Sequence, residues 1–152
     1  VYFNISGKDS SIRSSMTYPT EPIHLVRSRI YSQMKEVFQQ NNGIKTIALV
    51  GIGGSGKTTL AHYYASQQDA PVIWEFNAQT QASLQRSFAK LAQALSKTNE
   101  DTKILNSLYD IKNFQEREDK IVQFIKERVK ITSKWIFIFD NVEKFSDIQN
   151  YY

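Results

Sequence analysis

Two kinds of apolar run alternate along the chain. The first kind recurs every three to four positions, as expected of helices with one buried face. Residues 25–40 place Ile30, Met34, Val37 and Phe38 on one side, and Asn41-Asn42-Gly43 follow as a helix stop. A second helix is expected from Lys57 to about Gln67. A third carries Leu84, Phe88, Leu91, Ala92 and Leu95. A shorter one lies around Ile104, Leu105, Leu108 and Ile111, and a last one runs from Glu116 to Lys130 with Ile121, Phe124, Ile125 and Val129 turned inward. The other kind is short and largely apolar: Thr46–Val50, Val72–Phe76, interrupted by Glu75, and Trp135–Phe139. Short, largely apolar runs of this length predict strands, and one without alternation a strand buried on both faces, as in parallel sheets. Helices and buried-type strands in alternation predict an α/β fold.

Residues 1–22 follow neither period. Ser10, Ser11, Ser14, Ser15, Pro19 and Pro22 interrupt them, and an irregular lead-in is expected before a domain spanning 23–152. There is no internal repeat. The chain of 152 residues is long enough to bury one core. It starts at Val1 and ends soon after a strand-like run, as a piece of a longer protein would.

Composition removes several chemistries. The absence of cysteine excludes disulfides, thiolate zinc sites and a cysteine nucleophile. His24 and His62 are the two histidines, too few for a histidine-rich metal site. No apolar run reaches the roughly 18 residues that cross a membrane, and the N-terminal residues lack a signal peptide's apolar segment. A cytoplasmic setting is the expectation. Nineteen basic against 15 acidic residues give a net +4. This excess is small and scattered, so charge gives no ground for a nucleic-acid partner.

Residues 51–56 hold four of the six glycines. Together with Lys57 and Thr58 they satisfy G-x-x-x-x-G-K-[ST] at every fixed position. Wrapping a phosphate in backbone N–H groups needs unusual φ values and room where a Cβ would stand. Gly51, Gly53, Gly54 and Gly56 meet that demand, and Ser55 lies among them as a further candidate phosphate contact. A helix beginning near Lys57 directs its positive end at the same phosphates. Lys57 brings a mobile charge to the β and γ phosphates, the Thr58 hydroxyl suits Mg²⁺, and Thr59 reaches the α-phosphate. The expected counterpart is an apolar strand ending in a carboxylate, and Ile136–Phe139 ending in Asp140 is one. Asp140 is therefore a second magnesium ligand candidate, at the strand end where ligands of open α/β sheets collect. Hydrolysis also needs a group to orient or deprotonate water. Asn141 follows Asp140 and cannot accept a proton, which leaves Glu143 as the candidate and slow hydrolysis as the expectation.

The run from Gly51 to Ala61, GIGGSGKTTLA, resembles the phosphate loop of the NB-ARC family of STAND-class signalling NTPases, whose pattern is G-x-G-G-x-G-K-T-T-L-A. Trp135–Glu143 is similar to that family's magnesium-binding strand, and Val72-Ile73-Trp74 to its second strand. Leu25-Val26-Arg27-Ser28-Arg29 resembles the lead-in that packs on adenine, which implies Val26 as a base contact; Ser28 departs from the pattern. The resemblance covers about residues 23–145. It implies a P-loop NTPase fold with a parallel sheet flanked by helices, incomplete because the family's later strands, arginine sensor and Gly-Leu-Pro-Leu and Met-His-Asp motifs do not occur. An incomplete sheet implies marginal stability. The family further implies ATP or ADP with Mg²⁺, a nucleotide-dependent conformational switch, and protein partners or self-assembly through domains outside this chain. Other readings of the same loop are an ordinary P-loop ATPase or small-molecule kinase, a nucleic-acid-dependent AAA-type motor, and a degenerate fragment that binds nothing. The lack of an N-K-x-D guanine motif favours adenine.

Overall fold

A computed structural model describes residues 11–19, 24–40 and 43–151, with side chains from residue 27 onward in the first helix. Its elements are β1 (Ile12–Arg13), α1 (His24–Phe38), α2 (Lys57–Ser66), β2 (Val72–Asn77), α3 (Gln81–Leu95), α4 (Asn99–Tyr109), α5 (Phe114–Lys130) and β3 (Trp135–Asp140). Two short 3₁₀ turns follow, Phe145–Asp147 and Gln149–Tyr151. The residues group into two compact units, one of 11–15 with 69–151 and the other of 16–68.

The first unit holds the sheet. Its order is β1-β2-β3 and both pairings are parallel. Parallel neighbours need a crossover, and α3, α4 and α5 supply it between β2 and β3. Each helix starts at a side chain suited to the task. Thr80 caps α3 in a reciprocal box with Ser83, Thr98 does the same for α4 with Asp101, and Asn113 accepts from the Glu116 N–H at the head of α5. Alternation along β2 and β3 turns Val72, Trp74 and Phe76, with Trp135, Phe137 and Phe139, toward one apolar cluster. Phe76 is its centre. Its ring lies 4.7 Å from that of Phe139, 4.5 Å from that of Phe88 and 5.0 Å from that of Phe137. Leu84, Phe88, Leu91, Ala92 and Leu95 of α3 are buried as the periodicity requires, as are Ile121, Phe124, Ile125 and Val129 of α5. Arg128 lies over the Phe124 ring, 3.3 Å from its centroid, and donates to Asp101 at 2.8 Å, tying α5 to α4.

The second unit packs α1 and α2 through tyrosines. Tyr31 meets Tyr63 at 5.4 Å and Tyr64 at 5.9 Å between ring centroids, and Phe38 meets Tyr64 at 5.1 Å. Met34, Leu60, Tyr64 and Ala65 are buried, while Ile30, expected on the inner face of α1, is exposed. His62 is buried, and its Nδ1 lies 3.0 Å from the Thr17 carbonyl oxygen, fastening 16–19 to α2.

Two further differences concern the strands. Thr46–Val50 forms no strand; Thr46, Ala48 and Val50 are exposed, and Val50 retains 93% of its surface. A strand exists only as part of a ladder, and among the described residues none pairs with this segment. Conversely, the lead-in is not wholly irregular. Ile12–Arg13 pairs with Val72–Ile73, with the Ile12 N–H donating to the Pro71 carbonyl at 2.8 Å and the Ser14 N–H to Ile73 at 3.2 Å. Two residues are too few to carry a period, so only an open sheet edge could reveal them. The rest of the expected lead-in, apart from 11–19, and Asn41–Asn42 lie outside the described residues.

Candidate functional site

The glycine-rich segment leads into α2 by a tight turn. The Ser55 N–H donates to the Ile52 carbonyl at 3.2 Å, and the first helical bond runs from the Leu60 N–H to the Gly56 carbonyl at 3.0 Å. Gly54 and Gly56 have φ of 74° and 79°, a left-handed geometry that costs any other residue type about 1–2 kcal/mol. Gly56 is the N-cap of α2 and brings no side chain to cap it, and the first turn contains no acidic residue. The positive end of α2 is thus left for an external anion.

Lys57 folds back across this loop. Its Nζ donates to the carbonyls of Gly51 at 2.7 Å and Ile52 at 2.8 Å, and to Ser55 Oγ at 3.3 Å. The ammonium group therefore sits over the loop, still exposed, and clamps it into a ring. Arg27 stands on the other side. A Cβ built on Gly56 would lie 3.5 Å from the Arg27 guanidinium, and Arg27 departs from helical geometry within α1, with φ −136° and ψ 24°. Arg27, Ala48, Gly51, Ser55, Lys57 and Leu60 border an open hollow of about 570 Å³. The arrangement brings two cations and a helix N-terminus to one loop. Sequence reasoning placed Arg27 in a motif for the base and missed its position beside the loop; a cation in the lead-in of a phosphate loop was the available signal.

Thr58 is half-buried in the first turn of α2, and Thr59 is exposed beside it. Gly53 is exposed in the loop with open space around it. Val26 lies in α1, and its side chain is outside the described residues.

Asp140 is in the other unit. It closes β3, half-buried, in register with Asn77 of β2, and its carbonyl accepts the Ala78 N–H at 2.8 Å. Asn141 then takes φ 59° and is exposed, a left-handed turn that an asparagine tolerates better than most residues. Glu143 is exposed beyond the strand. Thr58 and Asp140 each offer a hard oxygen donor of the kind Mg²⁺ selects, one in each unit. Among the described residues no group of three or more histidine or acidic side chains could hold a metal ion. A larger hollow of about 970 Å³ lies between α3, α5 and the last 3₁₀ turns, lined by Gln79, Gln81, Gln115, Gln123 and Asn150 among others. It has no glycine loop, and Lys126 is its only cation.

No curated protein and no solved structure gives a significant match to the chain. The NB-ARC domain family matches residues 27–151, a span that begins at Arg27 and takes in the glycine loop, the head of α2, the whole three-helix crossover and Asp140. With the matched span covering most of the sequence, the chain belongs to the NB-ARC family of P-loop nucleotide-binding domains.

Proposed function

We propose that this chain is the ATP- and ADP-binding module of a signalling NTPase and acts as a nucleotide-dependent switch. The observation that carries the reading is the loop at the head of α2, closed by Lys57 Nζ on the Gly51 and Ile52 carbonyls. The N–H groups of residues 51–56 wrap the phosphates, Lys57 serves the β and γ phosphates, and Thr59 serves the α-phosphate. Arg27 adds a second cation beside Gly56. Val26 contacts the adenine. Thr58 and Asp140 hold Mg²⁺, which supplies charge neutralisation to the phosphates when bound.

Turnover is slow in this reading. The side chain after Asp140 is an amide, and Glu143 lies on an exposed bend past the end of β3. A slow hydrolytic step suits a protein whose output is the difference in affinity between two states. Protein partners or self-assembly, through regions outside this chain, would read that difference. Among the described residues no helix is long and apolar enough to cross a membrane, and a cytoplasmic setting fits an adenine-nucleotide switch.

Thermal unfolding in Mg²⁺ with rising ADP tests the loop. A ligand held only by the folded state adds about 2.7 kcal/mol at a hundredfold excess over its Kd. A saturable rise in melting temperature that Lys57→Ala removes is expected. An equal rise in the variant, or none in either protein, would overturn the reading. Phosphate transfer to an added small-molecule acceptor would replace it with a kinase.

A further inference from the structure

The outer edge of β2 is closed in two different ways. The backbone groups that face away from β3 belong to Pro71, Ile73, Glu75 and Asn77. At the carboxyl end the closure is part of α3. Ser87 Oγ accepts the Asn77 N–H at 3.1 Å, and Ser83 Oγ donates to the Asn77 carbonyl at 3.0 Å. Both serines stand on a helix that is anchored in the core by five buried side chains. At the other end the closure is a separate segment. The Ile12 N–H donates to the Pro71 carbonyl at 2.8 Å and the Ser14 N–H to the Ile73 carbonyl at 3.2 Å, while Ser14 Oγ accepts the Glu75 N–H at 2.8 Å.

This segment is held by little. Its ladder has two positions, Ile12 on Val72 and Arg13 on Ile73. Ile12 is its one buried side chain, and it joins the cluster that contains Val72 and Trp74. The described part of the segment within the sheet unit is 11–15, and the boundary between the units falls directly after Ser15. Without it the edge would present two carbonyls, one N–H and the space left by Ile12. A sheet edge in that condition is a template for another strand. The contacts define what fits: a branched apolar residue, backbone N–H groups on that residue and two positions on, and a hydroxyl on the second of them. Ile12–Ser14 meets every requirement, and each copy of the chain carries it.

We propose that the β2 edge is a strand-exchange site, on which Ile12–Ser14 of a second copy of this chain docks in parallel in place of the copy's own segment. The contacts are the same within one molecule as between two, which makes exchange a low-cost route to association. Reciprocal exchange closes a dimer, and one-way exchange builds an open chain. The docking edge lies wholly within the sheet unit and is independent of the nucleotide reading.

A fluorescein-labelled peptide of residues 11–17 serves as the probe for the second copy's segment. Its anisotropy would be titrated with the full chain and with Ile12→Asp, with thermal melts confirming folding. Aspartate cannot fill the apolar position, so the variant leaves its own edge open. It should bind the peptide about tenfold or more tightly than wild type, whose edge is open only part of the time. The same peptide with aspartate in place of its isoleucine should bind neither protein. Ser14→Ala withdraws the acceptor of the Glu75 N–H and keeps Ile12. It should bind more tightly than wild type as well, and is the variant to read if Ile12→Asp fails to fold. Sedimentation of wild type then reads the exchange itself. The dimer fraction should rise toward about millimolar concentration, where a second copy rivals a tethered segment, and excess unlabelled peptide should return it to monomer. Equal peptide affinity in wild type and variants would overturn the docking edge. A wild type that stays monomeric throughout, or a dimer that the peptide leaves intact, would overturn the second copy as its occupant.

Discussion

The sheet unit and the loop unit are built on different principles. Around Phe76, which is wholly buried, three other rings close to within about 5 Å, and two long helices cover the same sheet face. The loop unit has two helices joined by a tyrosine cluster and a long connection that exposes Ile44, Val50 and Ile52, the last two at 93% and 83% of their surface. Burial drives folding roughly in proportion to the apolar area removed from water, so the first unit carries the stability. The second holds the glycine loop of the candidate site, with left-handed glycines, a clamped ammonium group and an uncapped helix head, while Asp140 and Glu143 lie in the first. Binding sites are commonly held by the less stable parts of a fold, and ligand then supplies the missing stabilisation. The comparison separates the unit whose buried cluster carries stability from the unit that holds the candidate phosphate loop.

The largest effect should come from the core. Phe76→Ala removes the ring shared by β2, β3 and α3, and substitutions of this kind cost about 3–5 kcal/mol. Both tryptophans, Trp74 and Trp135, lie in the sheet unit, so denaturant titration followed by their fluorescence reads that unit directly. A midpoint shift of less than about 1 kcal/mol would break the assignment of stability to the Phe76 cluster.

A smaller, more selective effect is expected at Gly56. Alanine there must hold φ near 79°, at about 1–2 kcal/mol, and the strain falls on the loop unit. ADP-dependent stabilisation should fall while the tryptophan transition without ligand stays nearly in place. A large shift of that transition would show that the two units do not separate energetically.

The smallest effect concerns acid. The hydrogen bond from Arg128 holds the Asp101 carboxyl below its ordinary value. A carboxylate with a depressed folded pKa adds stability that is present in full above its unfolded pKa, near 3.8, and is lost as pH falls through the folded value. Asp101 is at the surface, so the loss should be slight and confined to strongly acid solution. Asp101→Asn should remove that part of the pH dependence of the tryptophan transition and leave ADP binding unaltered. A matching acid loss in ADP affinity would tie the α4–α5 contact to the loop.

The helices were legible by their period: α3 has its five buried positions and α5 its four, while the caps Thr80 and Asn113 became apparent only in the structure. Strands β2 and β3 were legible as short, largely apolar runs, with Glu75 interrupting β2. The segment 46–50 is likewise largely apolar and is not a strand, because strand formation depends on a neighbour as much as on sequence. Ile12–Arg13 is the reverse case, a strand made by the open edge of β2. In the site, glycine spacing disclosed the loop, but nothing local placed the Arg27 guanidinium near Gly56 or set Asn77 beside Asp140.

The sequence by itself determined the glycine-rich loop, the existence of the helices, most of their apolar faces and the family, because each is written in residues near one another along the chain. Tertiary structure alone decided which apolar run entered the sheet, which strand ends share an edge, and which cation attends the loop. Those outcomes depend on hydrogen-bond ladders and side-chain approaches between residues tens of positions apart, and only folding brings such residues within reach.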